Sequence, residues 1–195
     1  MSALSLTPFF KDIDKHDTNL VGGKCANLGE MTQAGFPVPN GFAITIKGYE
    51  LFLKENDLLN KIYEILNTVD VNDPIHLSGV ALRIQKMVLN GKIPDEVTRE
   101  VILSYKRLSG RFKKTLVAVR TSATAEDMPQ SSFAGMGTTI LNVKGEANLL
   151  NAVRECWASL FTGRSIYYRV ENKIPHEKVK ISVAVQKMVE SEVSG

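Results

Sequence analysis

The first clear period in the spacing of apolar residues is helical. Ala26, Leu28 and Met31 predict a helix over Lys24–Ala34, with Gly35 standing where a C-terminal cap belongs. Residues 1–22 show no such period and read as a short extended segment and a loop. Phe36–Gly41 carries two prolines and an Asn-Gly pair, which specify a turn. Phe42–Ile44 follows as a short strand. Thr45 is then the expected N-cap of a helix reaching about Asn56, with Tyr49, Phe52 and Leu53 on one face.

Three more helical stretches succeed it. Leu58, Leu59, Ile62, Ile65 and Leu66 fit the helical period. Asp73-Pro74 is an N-cap with proline in the first helical position, and Leu77, Val80, Ala81, Ile84, Met87 and Val88 line the face behind it. Pro94 opens a helix carrying Val97, Val101, Ile102 and Tyr105, which ends near Ser109-Gly110. The pattern then changes. Leu116–Val119 is a continuous apolar run and reads as a buried strand. Residues 121–137 are small and polar. Thr138–Val143 is the next strand, and Lys144-Gly145 turns the chain. Leu149, Val153, Cys156 and Leu160 mark an amphipathic helix over Glu146–Phe161, and a second covers about Arg164–Val170. Lys180–Gln186 alternates as a strand should.

Composition changes little in this picture. The chain has 195 residues, 44% of them hydrophobic and 23% charged, which excludes collagenous, coiled-coil and fully disordered classes. The net charge of +3 is spread along the chain without a basic block, which argues against a basic RNA-binding domain. Two distant cysteines, Cys25 and Cys156, show no CxxC pattern and read as free thiols of a reducing compartment. No apolar run is long enough to span a membrane, and the N-terminus lacks the features of a signal peptide. A cytoplasmic protein is expected. The three histidines, His16, His76 and His176, read as turn or surface residues.

Three segments carry candidate chemistry. Gly22-Gly23-Lys24 places two glycines and a cation at a helix N-terminus, where backbone amides and the helix dipole favour an anion. The competing reading is a flexible loop with a solvated lysine. Arg120 follows the buried strand and opens a hydroxyl-rich loop, and a guanidinium can clasp phosphate oxygens in a fork. The competing reading is a tie to Glu126 or Asp127. Ser131–Thr139 has the small residues of a lid whose amides donate to phosphates, or of an ordinary long hairpin connection.

Together these stretches resemble a known family. The segments Val21–Met31, Gly35–Ala43, Val117–Pro129, Ser132–Gly135 and Ile140–Val143 are similar to the N-terminal part of the phosphoenolpyruvate synthase (pyruvate, water dikinase) family. Cys156–Phe161, Arg164, Tyr168-Arg169 and Val185–Val189 continue the likeness from about residue 10 to the end. Pyruvate phosphate dikinase and rifampin phosphotransferase share this module and stand as alternatives.

The resemblance implies an α+β, ATP-grasp-type module, of which residues 1–195 are the N-terminal part. Its mixed or antiparallel sheet carries a helical insertion at about 46–110, expected to pack well alone, and residues 111–195 form a β-rich part. It implies that ATP phosphorylates a histidine on a separate domain with release of AMP and phosphate, and that the phosphoryl group then passes to pyruvate. Lys24 and Arg120 match the family's phosphate-contacting cations and take the catalytic roles. Gly22, Gly23, Lys24 and Arg120 belong to the nucleotide set. Phe133, Ala134, Gly135, Met136, Gly137, Thr138 and Thr139 match the lid, and Gln186, Met188 and Val189 the strand that receives adenine. Met136 stands where the family usually has Gln, and Thr121 where Ser is usual.

The family's acidic magnesium ligands, its phosphohistidine domain and its pyruvate-binding domain are expected beyond Gly195, and a homodimer is left open. No carboxylate here is assigned to a metal. The chain is therefore expected to be an N-terminal piece of a longer enzyme, inactive alone, binding ATP at roughly millimolar strength. The strand over 180–189 is expected to fray. A freestanding module that binds a nucleotide or a partner without catalysis is the alternative of another class.

Overall fold

Helix signals in the sequence act where they stand. In the computed structural model, which describes residues 5–110, 114–123 and 137–189, helix α4 runs Pro74–Asn90. The Asp73 carboxylate accepts from the Ile75 N–H at 2.9 Å and the His76 N–H at 3.1 Å, satisfying two of the orphan amides of the first turn. Helix α5, Asp95–Ser109, starts after Pro94 and stops at Gly110, whose φ of 76° belongs to the left-handed region. Helices α2 (Ile46–Glu55) and α3 (Leu59–Asn67) precede them. Thr45 sits at the N-cap of α2 but makes no side-chain cap bond, and its buried hydroxyl has no partner, which corrects the capping role expected of it.

Four strands form one antiparallel sheet: β1 (Gly41–Ile44), β2 (Leu116–Ala123), β3 (Thr139–Lys144) and β4 (Ile181–Lys187), in the order β1-β4-β2-β3. Strand β4 does not fray. It pairs with β1 from Gly41↔Gln186 to Ile44↔Val183 and with β2 from Val117↔Lys187 to Ala123↔Ile181, so both its edges are used. The neighbours that sequence alone could not assign to it come from far upstream in the same chain.

The sheet's two faces differ in residue size. Phe42, Ile44, Val117, Val119, Ile181, Val183 and Val185 point to one side and join the large core formed with α2–α5, α6 (Glu146–Ala158) and α7 (Gly163–Glu171). Trp157 lies there fully buried, its ring 4.7 Å from Phe52 and 5.9 Å from Tyr49. Helices 46–109 thus share one core with the sheet. The other face is lined by Ala43, Ala184, Ser122 and Ser182. Those small residues let helix α1 (Thr18–Gln33) lie close, and Val21, Cys25 and Ala26 pack there with Phe10 and Ile13. Cys25 and Cys156 are therefore separated by the sheet.

Two further expectations need correction. Residues before Lys24 are not simply extended: short 3-10 turns occupy Phe10–Asp12 and Lys15–Asp17, and α1 begins at Thr18. The Asp14 carboxylate takes the His16 N–H at 2.7 Å, a local cap that drives the chain into that turn. The helix expected over Glu146–Phe161 is α-helical only to Ala158 and tightens to a 3-10 turn over Ser159–Phe161.

Candidate nucleotide site

Gly22 interrupts α1 with φ 70° and ψ 161°, so the helix before it and the helix after it are separate pieces. A Cβ there would stand 2.5 Å from both the carbonyl oxygen and the hydroxyl of Ser122, so only glycine fits this approach to β2. The piece after the break starts at Gly23-Lys24-Cys25, beside the end of β2. Lys24 is not a solvated lysine: its Nζ donates to the Thr121 carbonyl at 2.6 Å. The ammonium is thereby held one residue beyond Arg120.

Arg120 lies on the same sheet face as α1, because side chains alternate along β2 and Ser122 faces α1. Its Nε is buried without a hydrogen-bond partner. A buried guanidinium nitrogen left unpaired is costly, and an oxygen-rich anion would relieve it. Glu126 and Asp127, the alternative partners, lie outside the described residues.

Thr121 gathers the third segment. Its N–H donates to the Thr138 carbonyl at 3.0 Å, and its hydroxyl accepts from the Thr138 N–H at 3.0 Å. Register then sets Thr139 directly opposite Arg120. Gly137 is exposed next to them. Phe133, Ala134, Gly135 and Met136 lie outside the described residues. Gly22, Gly23, Lys24, Arg120, Thr138 and Thr139 are thus brought to one end of β2.

Gln186, Met188 and Val189 lie at the other end of β4. Met188 is four residues beyond Ala184, which pairs with Arg120, so roughly 13 Å separates the two levels at about 3.3 Å per residue. That separation suits an extended nucleotide with its base at one end and its phosphates at the other. The Gln186 amide donates to the Pro39 carbonyl at 3.2 Å, and the Met188 sulfur accepts from the Asn142 N–H at 3.1 Å. Val189 is exposed.

The Ser122 and Ser182 hydroxyls, both fully buried against α1, escaped the sequence reading. The signal for them was the small residue at every second position of β4. His176 opens a 3-10 turn, as a turn residue should, but it is not a surface group. It is half-buried, and its Nδ1 accepts from the Arg169 Nε at 2.9 Å. Burial first, and the Arg169 charge second, push its pKa down to about 4. Burial raises the Cys156 thiol to about 12, with Glu155 adding to the shift, so this cysteine is no nucleophile at neutral pH.

No group of three or more His, Cys, Asp or Glu residues able to hold a metal ion occurs among the described residues. None of their helices is long and apolar enough to cross a membrane. A cavity of about 300 Å³ opens between Phe10, Thr32, Gly41 and Arg107, but none of the candidate residues lines it. Arg107 there is already stacked 5.6 Å over the Phe9 ring.

Comparison with known proteins identifies the family. The family model described as "Pyruvate phosphate dikinase, AMP/ATP-binding domain" matches residues 18–195. A probable phosphoenolpyruvate synthase of Staphylothermus marinus is 49% identical over 188 residues, which is 94% of this chain and 22% of the relative. One of Methanothermobacter thermautotrophicus is 45% identical over 189 residues, covering 96% of this chain and 28% of the relative. The phosphoenolpyruvate synthase of Helicobacter pylori is 42% identical over 190 residues, 94% of this chain and 23% of the relative. The chain spans between a fifth and a third of the length of these curated relatives.

Proposed function

The chain belongs to the pyruvate phosphate dikinase AMP/ATP-binding domain family, and from that premise we propose that the end of β2 receives the phosphates of ATP. One observation carries the reading. Lys24 is fixed to the Thr121 carbonyl beside Arg120, whose buried Nε has no partner. Two cations converging on one strand end, one with an unspent buried donor, fit a polyphosphate. The N–H groups of the α1 piece after Gly22 and of Thr138-Thr139 border the same place. The base lies toward Gln186, Met188 and Val189, and Phe133–Met136, which lie outside the described residues, supply the lid.

In the whole protein this module adopts an ATP-grasp arrangement in which two α+β subdomains close on ATP. ATP phosphorylates a histidine carried by another domain, AMP and phosphate leave, and the phosphoryl group passes to pyruvate. The names borne by the relatives favour pyruvate over an antibiotic as acceptor. Lys24 and Arg120 contribute positioning and charge stabilisation, the two demands of phosphoryl transfer. The described residues offer no carboxylate cluster for magnesium.

The test is an ATP titration of the full chain, followed by NMR at the amides of Gly22, Gly23, Thr138 and Thr139. Saturable shifts at these positions are expected. Lys24→Met and Arg120→Met should each weaken binding about 10- to 100-fold, the worth of one charge-assisted contact. Unaltered affinity in both variants would refute the assignment.

A further inference from the structure

An unbroken helix would bond the Cys25 N–H to the Val21 carbonyl, four residues back. The break at Gly22 parts this pair, and a side chain from the sheet stands between them. The Ser122 hydroxyl donates to the Val21 carbonyl at 3.0 Å and accepts from the Cys25 N–H at 3.3 Å. A second hydroxyl, that of Ser182, also donates to the Val21 carbonyl and lies 3.1 Å from the Ser122 carbonyl. Ser122 and Ser182 are cross-strand partners on β2 and β4. Val21, Ser122, Ser182 and Cys25 are all fully buried.

We propose that Ser122 and Ser182 are positioning residues for the nucleotide site: they clamp the opened turn of α1 and so hold Gly22, Gly23 and Lys24 where phosphate is received. The proposal rests on the reading of this strand end as an ATP site and deepens it. Side-chain insertion into the helical ladder is a recognised cause of a kink. Here the inserted group comes from the strand that carries Arg120 and holds Lys24 through Thr121. One rigid strand therefore sets the kink, the lysine and the arginine relative to one another. Such preorganisation places amides and cations before the ligand arrives, so binding does not have to order them. Without the clamp, the Cys25 N–H and the Val21 carbonyl are free to meet directly. The turn would close, and Gly22–Lys24 would move away from the end of β2.

Three variants of the full chain test this: Ser122→Ala, Ser182→Ala and, as a control, Ser159→Ala. Ser159 is a buried serine whose hydroxyl donates to the Cys156 carbonyl at 2.7 Å, away from α1. Two readouts are needed. Amide hydrogen exchange without nucleotide follows Cys25, and ATP titration by NMR follows affinity. Ser122→Ala is expected to change exchange at Lys24 and Cys25 and to weaken ATP about tenfold or more. Ser182→Ala, which leaves Ser122 in place, should weaken it about 3- to 10-fold. Ser159→Ala should lose stability without losing affinity. If Ser122→Ala fails to fold, Ser182→Ala decides. Wild-type ATP affinity in a folded Ser122→Ala or Ser182→Ala protein would overturn the proposal. Altered exchange at Cys25 with wild-type affinity would show a clamp of structural use only, and would also overturn it. If the wild-type chain and Lys24→Met respond to ATP identically, the site reading itself has failed and the positioning role falls with it.

Discussion

Replacing Gly22 by alanine should cost this fold a large part of its stability, and two terms can be worked from the structure. Gly22 has φ 70°. With ψ at 161° this backbone is one that only glycine adopts readily, and a residue with a Cβ pays about 1–3 kcal/mol to stay there. The new Cβ would also sit 2.5 Å from the Ser122 carbonyl oxygen and hydroxyl and 2.8 Å from the carbonyl carbon. These atoms belong to β2, which is paired to β3 on one side and β4 on the other, so the strand cannot step back. Overpacking against such a neighbour costs about 1–3 kcal/mol. The sum, about 2–6 kcal/mol, is a large share of a typical domain stability of about 5–15 kcal/mol. Gly79→Ala is the matched control. Gly79 lies inside α4, and a Cβ there meets nothing within 4 Å. That substitution should stabilise by about 0.5–1 kcal/mol. Urea unfolding followed by circular dichroism reads both. With m of about 1–3 kcal/mol/M, Gly22→Ala should lower the midpoint by at least about 0.7 M while Gly79→Ala raises it. A Gly22→Ala protein with an unchanged or raised midpoint would refute the reasoning, since α1 would then straighten without resistance from β2.

The remaining predictions concern the Arg169–His176 pair and one helix cap. His176 is held near a pKa of about 4 against an ordinary 6.5. Between these values the unfolded chain binds the extra proton, so stability is present above about pH 6.5 and is lost as pH falls toward 4. The shift corresponds to about 3 kcal/mol at most, and about 1–2 kcal/mol after screening of a half-exposed ring. His176→Gln should flatten that part of the pH–stability curve, and an unchanged slope between pH 6.5 and 4 would dismiss the pair as its source. Arg169 is buried beneath Phe161, with its guanidinium carbon 5.8 Å from the ring centroid, its Nη2 unpartnered and its pKa lowered by burial to about 10. Arg169→Met should raise the His176 pKa in an NMR titration, though only partway to 6.5, because burial is the larger cause. Asp73→Ala removes both cap bonds of α4 and should cost about 1 kcal/mol in the same urea assay.

Features governed by neighbouring residues were legible in the sequence. The Asp73-Pro74 start, the Gly110 stop and the buried run of β2 each follow from a few adjacent side chains. The cations were legible too, because Gly-Gly-Lys and a strand followed by arginine are local chemistry. What sequence hid was long-range pairing. The start of α1 was missed because Gly22-Gly23 reads as a boundary, whereas contact with a strand about a hundred residues later sustains the helix across the break. The place of β4 was missed because its partner β1 precedes it by a hundred and forty residues or so. The partial burial of His176 was missed because nothing near it in sequence shows that Arg169 is buried behind it.

The asymmetry of the sheet explains why the candidate site lies where it does. On the face toward α2–α7, large apolar side chains keep the nearest helices at side-chain distance from the strands. On the opposite face Ala43, Ala184, Ser122 and Ser182 bring α1 down until its backbone touches β2. Only that approach lets a strand hydroxyl enter the helical ladder and lets the Lys24 ammonium reach a strand carbonyl. A larger residue at Ser182 or Ala184 would lift α1 and separate Lys24 from Arg120, while leaving the apolar core on the other face intact. Small residues on this face therefore govern the spacing between the two cations, the spacing on which the proposed polyphosphate site depends.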